Sequence, residues 1–359
     1  MYDFIIIGQG LAGSILAYML IKKNKKVLVI NDETRISASQ ASVGIFNPVT
    51  GKRMTKTWKA EEIFPFLATF YQELGNSTGE DLIHFMPVYK PFSSVTEQNE
   101  WLTKAEENEY RDFINTNVPS GKYGNLVNAP AGGFETKQSG FVRVDKVIEN
   151  VRSFLKERNA YINQSFDYSS ITDKKDHVTV SDKWEAKKLI FCEGIYSADN
   201  PWFSYLPFSG LKGETLDIRI RDYDQEVILN KSAFVIPWSQ EIFKTGSVYV
   251  RNYTNAEPTD EGEEQITKKL RSFFLPEFEV TGRKAGIRPT TVDRRPILGL
   301  HPGHKTFVIF NGLGTKGVSL APYFAAQLVE HLLNNKDLDP EVDISRFSSI
   351  YSGFNDTNV

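Results

Sequence analysis

Three glycines near the start of the chain, in Gly8-Gln9-Gly10-Leu11-Ala12-Gly13, have the spacing that lets backbone N–H groups close around a diphosphate. The first allows a tight turn, the second admits a pyrophosphate close to the backbone, and the third lets a helix pack closely on a strand. Free N–H groups and the positive end of a helix dipole both favour an anion there. A second cluster, Asn311-Gly312-Leu313-Gly314-Thr315-Lys316-Gly317, stands near the other end of the chain and opens another helix. Glycines at 312, 314 and 317 are more than a plain helix start needs. Two such turns suit one long cofactor gripped at both ends, with adenosine diphosphate at the first and a distant ring at the second. The histidines at 84, 177, 301, 304 and 331 show no base–nucleophile spacing. No Cys/His cluster has zinc spacing, so no metal is expected.

Each turn has the elements needed to position it. Phe4 to Ile7 is a continuous apolar run, the pattern of a parallel strand buried on both faces. An apolar helix follows the first turn, ends in Lys22-Lys23-Asn24-Lys25-Lys26 and leads into the β-branched Val27-Leu28-Val29-Ile30. Thr306 to Phe310 reads as the buried strand before the second turn, and the helix after it runs through Leu333. Pro322 lies in its early turns, where a missing N–H matters least. Phe4 to Ile21 is apolar, but it has no basic segment before it and contains Gln9 and three glycines. Neither a membrane span nor a signal peptide is expected, and the chain is expected to begin inside its first strand and to work in the cytoplasm.

Between these ends, Trp58 to Leu74 and Glu97 to Asn108 look helical. Val144 to Arg158 repeats apolar residues at 144, 147, 148, 151, 154 and 155, an amphipathic helix. Short strands are expected at Val178–Val180 and Leu189–Phe191. The texture then changes: Thr215–Ile218, Val227–Leu229, Phe234–Ile236 and Ile242–Val250 alternate between turn residues like a mainly antiparallel sheet. Thr259 to Phe274 reads as a helix with acidic residues early and basic residues late, matching its dipole. At 359 residues the chain exceeds one compact core, so two intertwined domains are expected. Its net charge of −3 offers nucleic acid no general attraction, and its single cysteine, Cys192, excludes an intrachain disulfide and suits a reducing compartment.

Further segments carry a family likeness. They are Ala38-Ser39 with Gly44, Gly140-Phe141-Val142-Arg143-Val144-Asp145, Gly210-Leu211-Lys212-Gly213-Glu214, Lys244-Thr245-Gly246 and Pro258-Thr259-Asp260-Glu261-Gly262. The most specific is Gly286-Ile287-Arg288-Pro289-Thr290-Thr291-Val292-Asp293-Arg294-Arg295-Pro296-Ile297-Leu298-Gly299, and Arg346-Phe347 closes the series. With the first turn, these make the chain resemble the FAD-dependent amine and amino-acid oxidases of the D-amino-acid oxidase, glycine oxidase and sarcosine oxidase group. The resemblance runs nearly end to end and is looser in the middle third. Gly312 to Pro322 is similar to the oxidoreductase domain of the enzyme that trims a carboxymethylaminomethyl group on tRNA wobble uridine.

The resemblance implies an α/β fold: a Rossmann-like FAD-binding domain with a parallel sheet, interrupted by an α+β substrate domain with a mostly antiparallel sheet. The FAD-binding parts would be 1–82, 139–206 and 285–359, and the substrate parts 83–138 and 207–284. FAD would contact Gly8, Gly10, Leu11, Ala12, Gly13, Asn31, Asp32, Ser39, Ser42, Gly44, Gly194, Gly312, Gly314, Thr315, Lys316 and Gly317. It would be bound non-covalently, since Cys192 does not match the family's linkage cysteine. Lys316 and Gly317 would face the flavin edge where negative charge collects on reduction. Arg288 would be both catalytic and substrate-binding, gripping a carboxylate with its planar fork; spacing alone favours a surface or domain-bridging ion pair, since most arginines are exposed. Lys244 would lie over the flavin and assist reaction with oxygen, or else be an edge-strand lysine that discourages aggregation. Tyr249 and Arg53 are further substrate-binding candidates, against sheet packing and solvation respectively.

Two positions depart from the family pattern. A carboxylate usually follows the second strand, where this chain has Asn31, which accepts a hydrogen bond without charge assistance; Asp32 should point the other way. Glu193 precedes Gly194 where a small or apolar residue is usual, and it needs a partner or a raised pKa. The expected reaction is oxidation of a C–N bond in a small amine bearing a carboxylate, by hydride transfer to flavin N5 and hydrolysis of the imine, with oxygen or a quinone as electron acceptor. The alternatives are an NAD(P)-dependent reductase, a tRNA wobble-uridine modification oxidoreductase and a non-catalytic flavin-binding protein.

Overall fold

The computed structural model describes residues 1–50, 55–221 and 226–351. Contacts divide the chain into two compact units, one of residues 1–40, 144–211 and 287–359, the other of 41–143 and 212–286. The sequence-based boundaries placed 41–82 and 139–143 with the first unit. Strand pairing accounts for the difference. Ile45–Phe46 and Ile83–Phe85 both pair with Gly140–Val142, forming a three-stranded sheet within the second unit. The helix Ala60–Thr78 packs against Ile83–Phe85 and stays with it.

The first unit is built on an eight-stranded sheet. Five strands run parallel in the order Tyr161–Asn163, Val27–Asn31, Tyr2–Ile7, Trp184–Phe191, Phe307–Asn311. Ile297–Leu300 adds an antiparallel edge, and Ile171–Asp173 and Val178–Val180 form a meander on the lower part of Trp184–Phe191. The central position of Tyr2–Ile7 explains its apolar run, because Ile5 and Ile6 are covered on both faces. The helix Leu11–Lys22 buries Ile15, Leu16, Ala17 and Leu20 and packs on the helices Val144–Lys156 and Gly317–Asn334. Val144, Val147, Val151 and Leu155 give Val144–Lys156 its buried stripe. Trp184–Phe191 is longer than its apolar end suggested, because Glu185, Lys187 and Lys188 hide its first half from a hydrophobic pattern.

The second unit carries another eight-stranded sheet, in the order Glu279–Thr291, Phe208–Arg219, Ile242–Val250, Phe234–Pro237, Ile228–Asn230, Val88–Pro91, Gly133–Thr136, Ile114–Asn115. From Phe208–Arg219 onward its registers are antiparallel except between Ile228–Asn230 and Val88–Pro91. Residues 208–211 and 287–291 of its two longest strands belong to the first unit. Leu216, Ile218, Val235, Phe243 and Val248 form a core with Ile266, Leu270 and Phe273 from the helix Asp260–Arg271 and its exit. That helix starts at Thr259, whose side chain accepts from the Gly262 N–H. Buried Glu214 in turn accepts from the Thr259 N–H at 2.8 Å. No helix among the described residues is long and apolar enough to cross a membrane.

Two glycines separate two kinds of steric demand. A Cβ on Gly13 would lie 1.9 Å from the Gly8 carbonyl oxygen and 3.3 Å from Cys192 Cβ, so Gly13→Ala must push the helix off the sheet. Gly79, which ends the helix Ala60–Thr78, has φ +71° but nothing within 4 Å of such an atom. Gly79→Ala should cost about 1–2 kcal/mol, the strain of the left-handed conformation alone. Gly13→Ala should cost about 3 kcal/mol, the upper end of ordinary overpacking, because the obstacle is backbone. Denaturant midpoints of the two variants check the order; equal midpoints would contradict it.

Candidate functional site

The turn after Tyr2–Ile7 is shaped by close approach. Gly8 has φ +95°, and a Cβ there would lie 2.6 Å from the Cys192 carbonyl oxygen. Gly10 then opens the helix Leu11–Lys22, which has no side-chain cap and no acidic residue in its first turn. The Leu11 N–H donates to Ser39 Oγ at 3.1 Å, and Ala12 is partly buried and Gly13 fully so. The helix Gly317–Asn334 also begins with no side-chain cap and no acidic residue in its first turn. A Cβ on Gly317 would stand 3.7 Å from Leu11 Cδ2, so the two N-termini are neighbours. Each is the positive end of its helix dipole. Two positive helix ends side by side favour an anionic group.

Asn311 connects the second glycine turn to the sheet. Its Nδ2 donates to the Gly194 carbonyl and to Ser197 Oγ, both at 2.7 Å, while its Oδ1 accepts from the Gly312 N–H at 2.8 Å. Gly312 and Gly314 have φ +73° and +55°, which carries the chain into the short turn Gly314–Lys316 before the last helix. Thr315 is exposed and Lys316 partly buried. Burial lowers the Lys316 pKa, and Arg295 and Arg294 add repulsion. Gly194 has φ +60° and open space where a side chain would be. Arg346 secures the nearby 293–296 turn through Asp293, at 2.9 Å, and the Arg295 and Pro296 carbonyls.

At the end of Val27–Asn31, Asn31 Oδ1 accepts from the Gln9 N–H at 2.8 Å. Asp32 turns to its own loop, accepting from the Thr34 N–H and hydroxyl and pairing with Arg35 at 3.6 Å. Glu193 meets both conditions its sequence position set. Its carboxylate accepts from the Tyr168 hydroxyl at 2.8 Å and Asn200 Nδ2 at 2.9 Å, and burial raises its pKa against the pull of those two donors.

The remaining candidates divide between the units. Arg288, on Glu279–Thr291, is partly buried between buried Gly286 and Pro289. In the second unit, Lys244 is buried, sits 2.6 Å from Asp217 and lies 4.5 Å over the Trp238 ring. Arg143 stands 4.4 Å from the same ring. Tyr249, on the strand of Lys244, is 60% exposed and does not share its surroundings. Gly44 has a packing reason of its own: a Cβ there would lie 1.9 Å from the Val142 carbonyl oxygen, and Ser42 Oγ accepts from the Gly44 N–H at 3.3 Å. Arg53 lies outside the described residues. The sequence reading passed over Gln9, Glu33, Arg152 and Tyr161 around the first turn, and Asp217 and Trp238 around Lys244. Gln9 alone carried a signal, as a long polar side chain inside an apolar turn that the fold buries to 2% exposure.

The raised pKa of Glu193 makes a pH prediction. The folded protein holds the Glu193 proton more tightly than the unfolded chain, so the stability it contributes is full below about pH 4.3 and declines as pH rises through the raised value. Glu193→Gln should remove this decline. Denaturant midpoints of both proteins from acidic to neutral pH should therefore converge on the acid side and separate, with wild type losing, toward neutrality. Parallel curves would contradict the assignment.

With the geometry described, known proteins bear on it. The family model described as FAD dependent oxidoreductase matches residues 3–331. An uncharacterized oxidoreductase of Bacillus subtilis (strain 168), YurR, is 22% identical, over 97% of this chain and 98% of its own. Glycine oxidase of the same organism is 22% identical, over 95% of each. The crystal structure of iminodiacetate oxidase from Chelativorans sp. BNC1 superposes with a TM-score of 0.79 at 16% identity, covering 94% of this chain and 97% of that one. The match over nearly the whole length, on a chain with the glycine turn, its parallel sheet and a second mainly antiparallel unit, places this protein in the DAO family of FAD-dependent oxidoreductases.

Proposed function

We propose that this oxidoreductase oxidises the C–N bond of a small amine that carries a carboxylate. The observation that carries the reading is Arg288, a partly buried guanidinium fixed on a strand between a buried glycine and a buried proline. A guanidinium so placed presents a planar fork matched to a carboxylate. Two relatives support it: one is named for glycine and one for iminodiacetate, both amines that carry carboxylates.

Gly8, Gly10, Leu11, Ala12, Gly13, Asn31 and Ser39 would hold the adenosine diphosphate part of FAD, and Gly194, Gly312, Gly314, Thr315, Lys316 and Gly317 its ring. When bound, FAD supplies the hydride acceptor, and the protein supplies position and charge. Arg288 would anchor the carboxylate so that the C–H next to nitrogen is presented in one orientation. Its charge also lowers the pKa of the substrate ammonium and favours the neutral amine that oxidation requires. Lys244 would place a cation where oxygen, as the electron acceptor, gains negative charge. Cys192 is buried and free, which suits non-covalent FAD and a cytoplasmic setting.

Arg288→Ala should lower kcat/KM on the best N-alkyl glycine or amino acid by about thirtyfold or more, the cost of leaving a buried carboxylate without its partner. FAD content should hold. Near-normal kinetics would show that Arg288 binds no substrate.

Lys244→Met should divide the catalytic cycle. A unit charge 4 Å from developing negative charge contributes about 4 kcal/mol at an effective dielectric near 20, roughly a thousandfold in rate. Asp217, 2.6 Å from the ammonium, reduces that field. Reoxidation of reduced enzyme by air should slow well beyond any change in anaerobic reduction by substrate. Equal slowing of both half-reactions in stopped flow would instead make Lys244 a general organiser of its strand.

A further inference from the structure

We infer that Glu33, rather than residue 31, supplies the carboxylate that binds the adenosine ribose hydroxyls of FAD in this chain. This role follows from FAD dependence alone, whichever amine the protein oxidises. The strand Val27–Asn31 ends beside the glycine turn with an amide, and that amide is already engaged. Asn31 Oδ1 accepts from the Gln9 N–H at 2.8 Å, and its Nδ2 lies 3.4 Å from the Tyr161 hydroxyl. That hydroxyl donates to Glu33 Oε1 at 2.8 Å, while Arg152 Nη1 donates to Glu33 Oε2 at 3.1 Å. Arg152 Nε donates to Gln9 Oε1 at 2.8 Å, and Gln9 Nε2 donates to Ser14 Oγ and the Ile148 carbonyl. The circuit therefore leaves the glycine turn at the Gln9 N–H and returns to it at the Gln9 side chain.

This circuit explains the amide. Tyr161 has one hydroxyl hydrogen, and Glu33 receives it. A carboxylate at 31 would face the Tyr161 oxygen with no hydrogen between them and would add a second anion beside Glu33. An amide at 31 donates instead, so it is compatible with a carboxylate displaced by two residues. Burial and the Glu33 hydrogen bond push the Tyr161 pKa up to about 12, which keeps the hydroxyl a donor at neutral pH. Glu33 also has capacity left. Its two oxygens offer about four acceptor positions, of which Tyr161 and Arg152 occupy two. Its side chain remains 30% exposed beside the turn, open to a pair of ribose hydroxyls.

The test measures binding of ADP and 2′-deoxy-ADP by calorimetry to the full chain, stripped of FAD and shown to take it up again. Wild type should prefer ADP by about tenfold or more, the worth of a hydroxyl donating to a charged acceptor. Glu33→Gln should weaken ADP by about as much and should bind the two nucleotides nearly alike. Asn31→Asp should gain no affinity for ADP. A Glu33→Gln protein that weakens both nucleotides equally and keeps the wild-type preference would overturn the inference, because Glu33 would then serve only to anchor Arg152. So would tighter ADP binding by Asn31→Asp with a larger preference. Should Glu33→Gln fail to refold, Glu33→Asp retains a charge for Arg152 on a shorter side chain, and an unchanged preference there would equally overturn it.

Discussion

The absence of a side chain at Gly13 is the constraint on which the first unit depends. With the Gly8 carbonyl 1.9 Å from where a Cβ would be, the helix Leu11–Lys22 can start directly above the strand it follows. Only from that height does its first turn reach the first turn of the helix Gly317–Asn334. Neither start is capped by a side chain of its own. At the first of them the Leu11 N–H finds its acceptor in Ser39 Oγ, a side chain from outside the helix. A cofactor that binds the folded chain and not the unfolded one stabilises the fold by mass action, so FAD binding and fold stability are thermodynamically linked.

The parts of the fold that repeat locally were legible in the sequence. The buried strand, the glycine turn and its helix stand together, and the stripe of Val144, Val147, Val151 and Leu155 declares its helix by period. Ile242–Val250 was readable in its full extent as a strand set off by turn residues. What was not legible depends on distant partners. The assignment of 41–82 turns on two residues, Ile45 and Phe46, finding Gly140 and Phe141. The strand Glu279–Thr291 carries Gly282, Arg283, Lys284 and Pro289, a composition that conceals a strand. Arg152 reaches Gln9 across 143 positions, and nothing near either residue announces the other. Asn31 was visible as a departure from a pattern, but its reason was not, since the reason is Glu33 and Tyr161.

Charge in the second unit follows a consistent rule. Lys212 and Glu214 are both nearly inaccessible and stand 3.2 Å apart, with Thr259 completing the carboxylate. Glu135 is buried and takes hydrogen bonds from Lys122, Tyr123 and Asn115. Lys244 follows the same rule with Asp217 and adds an aromatic face. Paired burial of this kind contributes little net stability, but losing either partner is costly. It therefore holds strands and loops in one arrangement more than it strengthens them.

The chain passes from one unit to the other four times, at residues 40, 143, 211 and 286. Neither unit is thus a continuous stretch that could form as it leaves the ribosome. The first strand, complete after seven residues, waits for Phe4 to Ile7 to meet Lys188 to Phe191. Trp184–Phe191 in turn waits for Phe307–Asn311, more than a hundred positions later. Such separations make loop closure, rather than local structure, the slow event in folding. Until most of the polypeptide exists, the most apolar strands of the sheet have no neighbour on one side. Exposed edges of that kind invite aggregation, so heterologous yield should respond to synthesis rate and chaperone supply more than to the stability of the finished protein.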